Sequence, residues 1–119
     1  MVLVDTSIWV AHLKEGDDRL KALLEEGEVL CHPFVVGELA CGNLKKRSEI
    51  LSLMQTLPQA KVAGHDEVMK FIELHDLAGV GLGYVDVHLL ASAFLSKSTL
   101  WTADKRLMEV ARKLGIGYK

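Results

Sequence analysis

The stretch Met1-Val2-Leu3-Val4-Asp5-Thr6-Ser7 sets the fold. Val2, Leu3 and Val4 form a short apolar, β-branched run, the composition of a strand buried on both faces of a parallel sheet. Asp5 ends the run. Thr6 or Ser7 can then cap a helix through Ile8-Trp9-Val10-Ala11-His12-Leu13. Asp5 is therefore expected at the carboxyl end of a strand, on the rim where open α/β sheets bind ligands. It is the only carboxylate before Glu15. An aspartate there can equally serve a turn or a cap, so its role depends on what joins it.

Outward from this stretch, strands and helices alternate. Gly16-Asp17-Asp18 reads as a turn and cap ahead of an amphipathic helix, Arg19 to Glu26, with Leu20, Leu23 and Leu24 on one stripe. Glu28-Val29-Leu30-Cys31 is a second strand. His32-Pro33 opens a helix, with proline in its tolerated first turn, that runs from Phe34 toward Leu44 unless Gly42-Asn43 breaks it. Helices are also expected over Ser48 to Leu57, stopped by Pro58, and over His65 to His75, Tyr84 to Ser96 and Lys105 to Leu114. Further strands are Thr99-Leu100-Trp101-Thr102 and, more weakly, Gln59 to Val62 and Ile116 to Tyr118. Such alternation implies a parallel sheet covered by helices on both faces. Val2 to Val4 is expected at its centre, between Val29 to Cys31 and Leu100 to Thr102. The chain reads as one domain, residues 1–119.

Composition narrows the function. Half of the 119 residues are hydrophobic and a quarter charged, which excludes a disordered chain. The net charge of −2 supplies no global attraction for a polyanion, so a nucleic acid would need a local basic patch. The first apolar run is too short for a secretion signal and no segment approaches a membrane span. Cys31 and Cys41 fit no metal-binding or redox spacing and are expected to be reduced, partly buried thiols of a cytoplasmic protein. Gly79-Val80-Gly81-Leu82-Gly83 follows a helix and lacks the dinucleotide fingerprint, and there is no phosphate-binding Walker motif.

Several acids stand alone. Glu38 is the only charge in Phe34-Val35-Val36-Gly37-Glu38-Leu39-Ala40-Cys41-Gly42, and Asp86 is the only acid between Leu77 and Ser96. Helices apolar nearly all round are buried, and a buried carboxylate must be paired, protonated or bound to a metal. Neither helix offers a basic side chain within a turn of its acid. Asp104 follows Trp101-Thr102 and should lie beyond another strand end, beside Asp5. Asp104 as an N-cap and Asp86 as a first-turn charge are the structural alternatives. Four acids converging on one rim would form an oxygen-rich site suited to Mg²⁺ or Mn²⁺. Phosphodiester hydrolysis needs such a site.

Asp5-Thr6-Ser7, Glu38 after His32-Pro33, Gly83-Tyr84-Val85-Asp86 and Trp101-Thr102-Ala103-Asp104 together resemble the PIN-domain ribonucleases, and more closely the VapC-type toxins of type II toxin–antitoxin modules. The resemblance spans essentially the whole chain. It implies a three-layer α/β/α fold with a five-stranded parallel sheet of order 3-2-1-4-5. It matches Asp5, Glu38, Asp86 and Asp104 to an acidic catalytic quartet that binds metal, supported by Thr6, Ser7 and Thr102. It also implies a homodimer, structured RNA such as tRNA as substrate, and a VapB-type antitoxin that blocks the site.

Lys45-Lys46-Arg47 and Lys105-Arg106 are candidate phosphate contacts, although a solvated helix face explains each as well. The five histidines are scattered and read as surface or capping residues rather than general bases. Trp9 and Trp101 read as core rather than as base-stacking platforms. Two rival functions share the fold class. A phosphate-accepting signalling domain would want an early acid pair and a late lysine, but Asp17-Asp18 lies in a turn and Lys105 is helical. A non-catalytic binding module would not need an intact quartet.

Overall fold

Val2–Val4 (β1) is the middle strand of a parallel sheet in the computed structural model, which describes residues 1–119. Val29–Leu30 (β2) lies on one side and Thr99–Trp101 (β3) on the other. Val2 is level with Val29 and Thr99, and Val4 with Trp101. All three residues of β1 are buried, as a strand covered on both faces requires.

Each outer edge carries one further parallel bridge, Cys31 to Gln59 and Leu100 to Gly117. The segments expected as outer strands shrink to these single rungs. On one edge Cys31 N–H donates to Pro58 O and Ala60 N–H to Cys31 O, both at 2.9 Å, immediately after the proline that ends a helix. On the other, the chain turns through Gly115 at φ 77° and ends two residues beyond Gly117. A Cβ on Gly117 would meet Arg112 Cγ at 2.6 Å, so glycine allows this segment to approach the last helix.

The helices are Thr6–Glu15 (α1), Asp18–Glu25 (α2), Pro33–Cys41 (α3), Arg47–Thr56 (α4), His65–Leu74 (α5), Tyr84–Leu95 (α6) and Lys105–Lys113 (α7). Asp5 itself is the cap of α1, in place of Thr6 or Ser7, so the helix begins one residue after the strand's last acid. Gly42 ends α3 three residues short of the expected limit of Leu44, its N–H turning back to Leu39 O. Helix α6 buries seven successive residues, Val87 to Ala93, and is the central helix.

Helix α3 departs from the expectation of burial all round. Val35 and Leu39 face the core while Gly37 and Glu38 are exposed. Its apolar composition reflects short residues and a half-covered surface, so Glu38 does not carry the desolvation penalty its neighbours implied. The two thiols also differ. Cys31 is fully buried, which pushes its pKa up to about 11, and Cys41 is exposed. No helix is long and apolar enough to cross a membrane.

Candidate active site

Asp5 is the hub. Its Oδ1 accepts from Thr6 N–H at 2.7 Å, and its Oδ2 accepts from the Thr102 hydroxyl at 2.7 Å and the Ser7 hydroxyl at 3.4 Å. Each hydroxyl holds a second element. Thr6 Oγ1 donates to Glu38 Oε1 at 2.7 Å, joining α1 to α3. Thr102 Oγ1 accepts from Asp104 N–H at 3.1 Å, and Ser7 Oγ accepts from Ala103 N–H at 3.1 Å, joining α1 to the loop beyond β3. A hydroxyl both donates and accepts, which suits it to bridge a carboxylate and a backbone N–H in one step. Thr6, Ser7 and Thr102 thus hold Asp5, Glu38 and Asp104 in one constellation.

Asp86 joins it through charge. Burial pushes the Asp86 carboxyl pKa up; a hydrogen bond from Gly83 N–H, 3.2 Å from Oδ2, opposes this, and the charges of Asp104 and Asp5 push it further up. Asp5, Asp86 and Asp104 therefore lie near one another around the carboxyl ends of β1 and β3, and Glu38 is tied to this group through the Thr6 hydroxyl. Three of them also serve as caps. Asp5 caps α1, Asp104 accepts from Leu107 N–H in α7, and Asp86 closes the first turn of α6. The structural and chemical readings of these aspartates coexist, because a helix N-terminus at a strand end is where both are satisfied.

No basic side chain neutralises the cluster. The molecule's one ion pair joins the Met1 amino group to Glu28, away from the four acids. Like charges facing one another without a counter-ion fit a hard cation bound through oxygen. Nowhere do three His, Cys, Asp or Glu side chains close on one point as direct ligands. Mg²⁺ keeps several waters and takes only one or two protein carboxylates directly, so binding it does not require a closed cage of protein ligands.

The basic residues divide. Lys45 and Lys46, with Lys14, line a 790 Å³ cleft that has Glu38 at its edge and Val10, Leu13 and Leu39 in its wall. Lys105 and Asp104 share a second, 430 Å³ cleft. The two arginines are tied elsewhere: Arg47 donates to Ala40 O at 3.1 Å and Arg106 to Val80 O at 3.2 Å. Lys14 carried no signal in the sequence, being one exposed lysine on an amphipathic helix. The acid pair Asp17-Asp18 is spent on α2, where Asp17 accepts from Arg19 and Leu20 N–H, so it offers no phosphate-accepting pocket.

Two buried histidines belong to the helices that carry Glu38 and Asp86. His32 caps α3, one of the roles expected of it, but from a fully buried position; its Nδ1 accepts from Phe34 N–H at 3.0 Å and its Nε2 meets Ser92 Oγ at 3.1 Å. His88, 5% exposed, packs edge-on against Phe34 and Tyr84. Burial pulls the His32 pKa from 6.5 down to about 4, with the nearby His88 adding to the shift, and burial lowers His88 as well.

Both histidines protonate more readily in the unfolded chain. Their contribution to stability is complete above about pH 6.5 and is lost as the pH falls below it, for His32 down to about 4. Asp86, raised in the folded state, acts in the opposite sense. Urea unfolding should show the midpoint falling over this window, and His32→Asn, which retains a capping acceptor, should flatten the fall while lowering stability at neutral pH. A wild-type midpoint independent of pH here would refute the buried-histidine account.

The chain matches the family model described as "PIN domain" over residues 2–113. It is 45% identical to "Ribonuclease VapC32" of Mycobacterium tuberculosis, in strains CDC 1551 / Oshkosh and ATCC 25618 / H37Rv, over 117 residues covering 98% of this chain and 94% of the relative. With its acids on the rim of a parallel sheet and both similarities running almost end to end, this chain belongs to the PIN-domain family, among its VapC members.

Proposed function

We propose that this chain is a metal-dependent endoribonuclease that hydrolyses phosphodiester bonds in structured RNA, with tRNA the leading class, and acts as the toxin of a type II toxin–antitoxin module. The observation that carries the reading is the set of hydrogen bonds by which Thr6 ties Asp5 to Glu38 and Thr102 ties Asp5 to Asp104, with Asp86 within reach of the charges of Asp5 and Asp104 and no basic partner on any of the four. Its similarity to a protein named a ribonuclease supports the same chemistry. The whole chain, residues 1–119, serves as one domain around a shared core of 28 buried residues. The two edge bridges are read as the remnants of the outer strands in a five-stranded sheet of order 3-2-1-4-5.

In this reading Asp5, Glu38, Asp86 and Asp104 would hold the ion, Mg²⁺ or Mn²⁺, directly or through waters that it retains. When bound, the ion lowers the pKa of the attacking water and offsets charge on the phosphoryl oxygens. Thr6, Ser7 and Thr102 keep the carboxylates oriented, so that little reorganisation is needed when substrate arrives. Lys14, Lys45 and Lys46 provide the local positive surface beside Glu38 that the net charge lacks, and Lys105 does so beside Asp104. Arg47 and Arg106 add charge from fixed positions.

The unneutralised acids also explain how such a site would be silenced. A VapB-type antitoxin placing a basic side chain among them would compete with both ion and substrate. The homodimer is part of the same proposal, as is a cytoplasmic location.

The test is cleavage of total tRNA in the presence of Mn²⁺ and with excess chelator. Discrete fragments are expected only with the ion. Glu38→Gln, which alters an exposed residue, should lower the rate by about a hundredfold or more, the scale for removing a charge-stabilising group. Equal cleavage by wild type and variant, or cleavage indifferent to chelator, would refute the reading.

A further inference from the structure

Of the seven aromatic residues only Tyr84 and Phe94 are exposed, at 45% and 46%. Phe94 lies near the far end of α6. Tyr84 lies in its first turn, the turn that carries Asp86. Exposed tyrosines are normally mobile, but this one is fixed. Its hydroxyl is 2.6 Å from His65 Nδ1 at the start of α5. Its ring meets His88 nearly at right angles, 83° and 4.6 Å between centroids, and His88 in turn packs against Phe34 at 4.7 Å. Phe34 and Glu38 are four residues apart on α3 and so share a face, as do Tyr84 and His88 on α6. His32 meets Ser92 and Phe34 meets His88, so α3 runs antiparallel to α6, and the ring on the first turn of the helix that contributes Asp86 lies toward the Glu38 end of α3.

We infer that Tyr84 is a stacking platform for an unpaired nucleobase next to the scissile phosphate. This deepens the ribonuclease reading and rests on it. Stacking on an aromatic ring tolerates any base and contributes about 1–3 kcal/mol per base, about five- to more than a hundredfold in affinity. A ring already held by its hydroxyl and by His88 loses little entropy on binding, which favours the upper part of that range. The consequence for the substrate is that the nucleotide beside the cut is single-stranded, so structured RNA would be cut at loops, bulges or ends. The His65 hydrogen bond positions the ring and makes no contact with the base.

The experiment measures binding of two fluorescent oligoribonucleotides, a mixed-sequence dodecamer and the same backbone with abasic ribose throughout. It is done in the Asp5→Asn background with Mg²⁺ so that the RNA survives. The parent should prefer the base-bearing oligomer by about fivefold or more. Tyr84→Ala should lose most of that preference and bind the abasic oligomer as the parent does. Tyr84→Phe, which loses only the bond to His65, should keep most of it. In otherwise wild-type enzyme, Tyr84→Ala should raise KM with little change in kcat, which a folding defect would not do selectively. Melting temperatures of all variants identify any that fail to fold, and Tyr84→Phe keeps the ring testable if Tyr84→Ala does. A parent without preference, or a Tyr84→Ala variant that keeps it, overturns the stacking platform alone. Binding of neither oligomer overturns the ribonuclease reading as well.

Discussion

Asp5→Asn should reduce RNA cleavage by about a thousandfold, the upper range for removing a group that stabilises developing charge, and leave the metal-free protein at least as stable as wild type. The two halves follow from the two tasks Asp5 performs. As a cap it accepts from Thr6 N–H at 2.7 Å, and asparagine caps a helix about as well as aspartate. As a carboxylate it sits among Glu38, Asp86 and Asp104 without a basic partner, and its charge helps to hold the Asp86 carboxyl above its ordinary range. Removing that charge relieves repulsion in the absence of an ion and deprives the site of a ligand in its presence. The Thr102 hydroxyl can rotate to accept from the new amide, at some cost to its bond with Asp104 N–H. Thermal unfolding with chelator, run beside a cleavage assay, checks both halves. If the variant unfolds in chelator, Asp5 is a structural cap and the site has another centre; if it cleaves at the wild-type rate, the mechanism is wrong.

Addition of Mn²⁺ should raise the melting temperature of the wild-type protein by about ten degrees. An ion that binds the folded state and not the unfolded chain stabilises by mass action, about 2.7 kcal/mol at one hundred times its dissociation constant. For a chain of 119 residues that shift corresponds to about ten degrees. The rise should shrink to a few degrees in Asp5→Asn and Asp86→Asn, because each loses one of the charges that make the site worth occupying. It should also fade in mildly acidic solution, where the Asp86 carboxylate, its pKa raised by burial, takes up a proton instead. Calorimetry of the three proteins with chelator and with saturating Mn²⁺ provides the comparison. An equal rise in all three would place the ion elsewhere, and no rise in wild type would separate the acids from metal binding altogether.

Much of the site's address was legible along the chain. The apolar run Val2 to Val4 could only be a buried strand, and Asp5 at its end had to lie on the sheet's rim. Trp101-Thr102-Ala103-Asp104 repeated the arrangement, and β3 does lie beside β1. Glu38 and Asp86 stood out because nothing near them in sequence could pair with them. The premise for one of the two does not hold, since Glu38 is exposed.

What the sequence determined by itself is what repeats locally: the period of apolar residues, the strand ends, the caps and the isolation of each acid. Tertiary structure decided everything that depends on residues distant along the chain coming to face one another. Thr6 meets Glu38 across 32 positions and Thr102 meets Asp5 across 97. Arg47 and Arg106 turn to carbonyl groups, Lys14 joins Lys45 and Lys46 around a cleft, and His32 and His88 are buried. The outer strands fall into the same class, because an edge strand is held by a partner on one side only, and each outer edge here keeps a single rung. Local pattern reports which face of an element is apolar; only packing the elements together determines which hydroxyl, cation or ring stands opposite each acid.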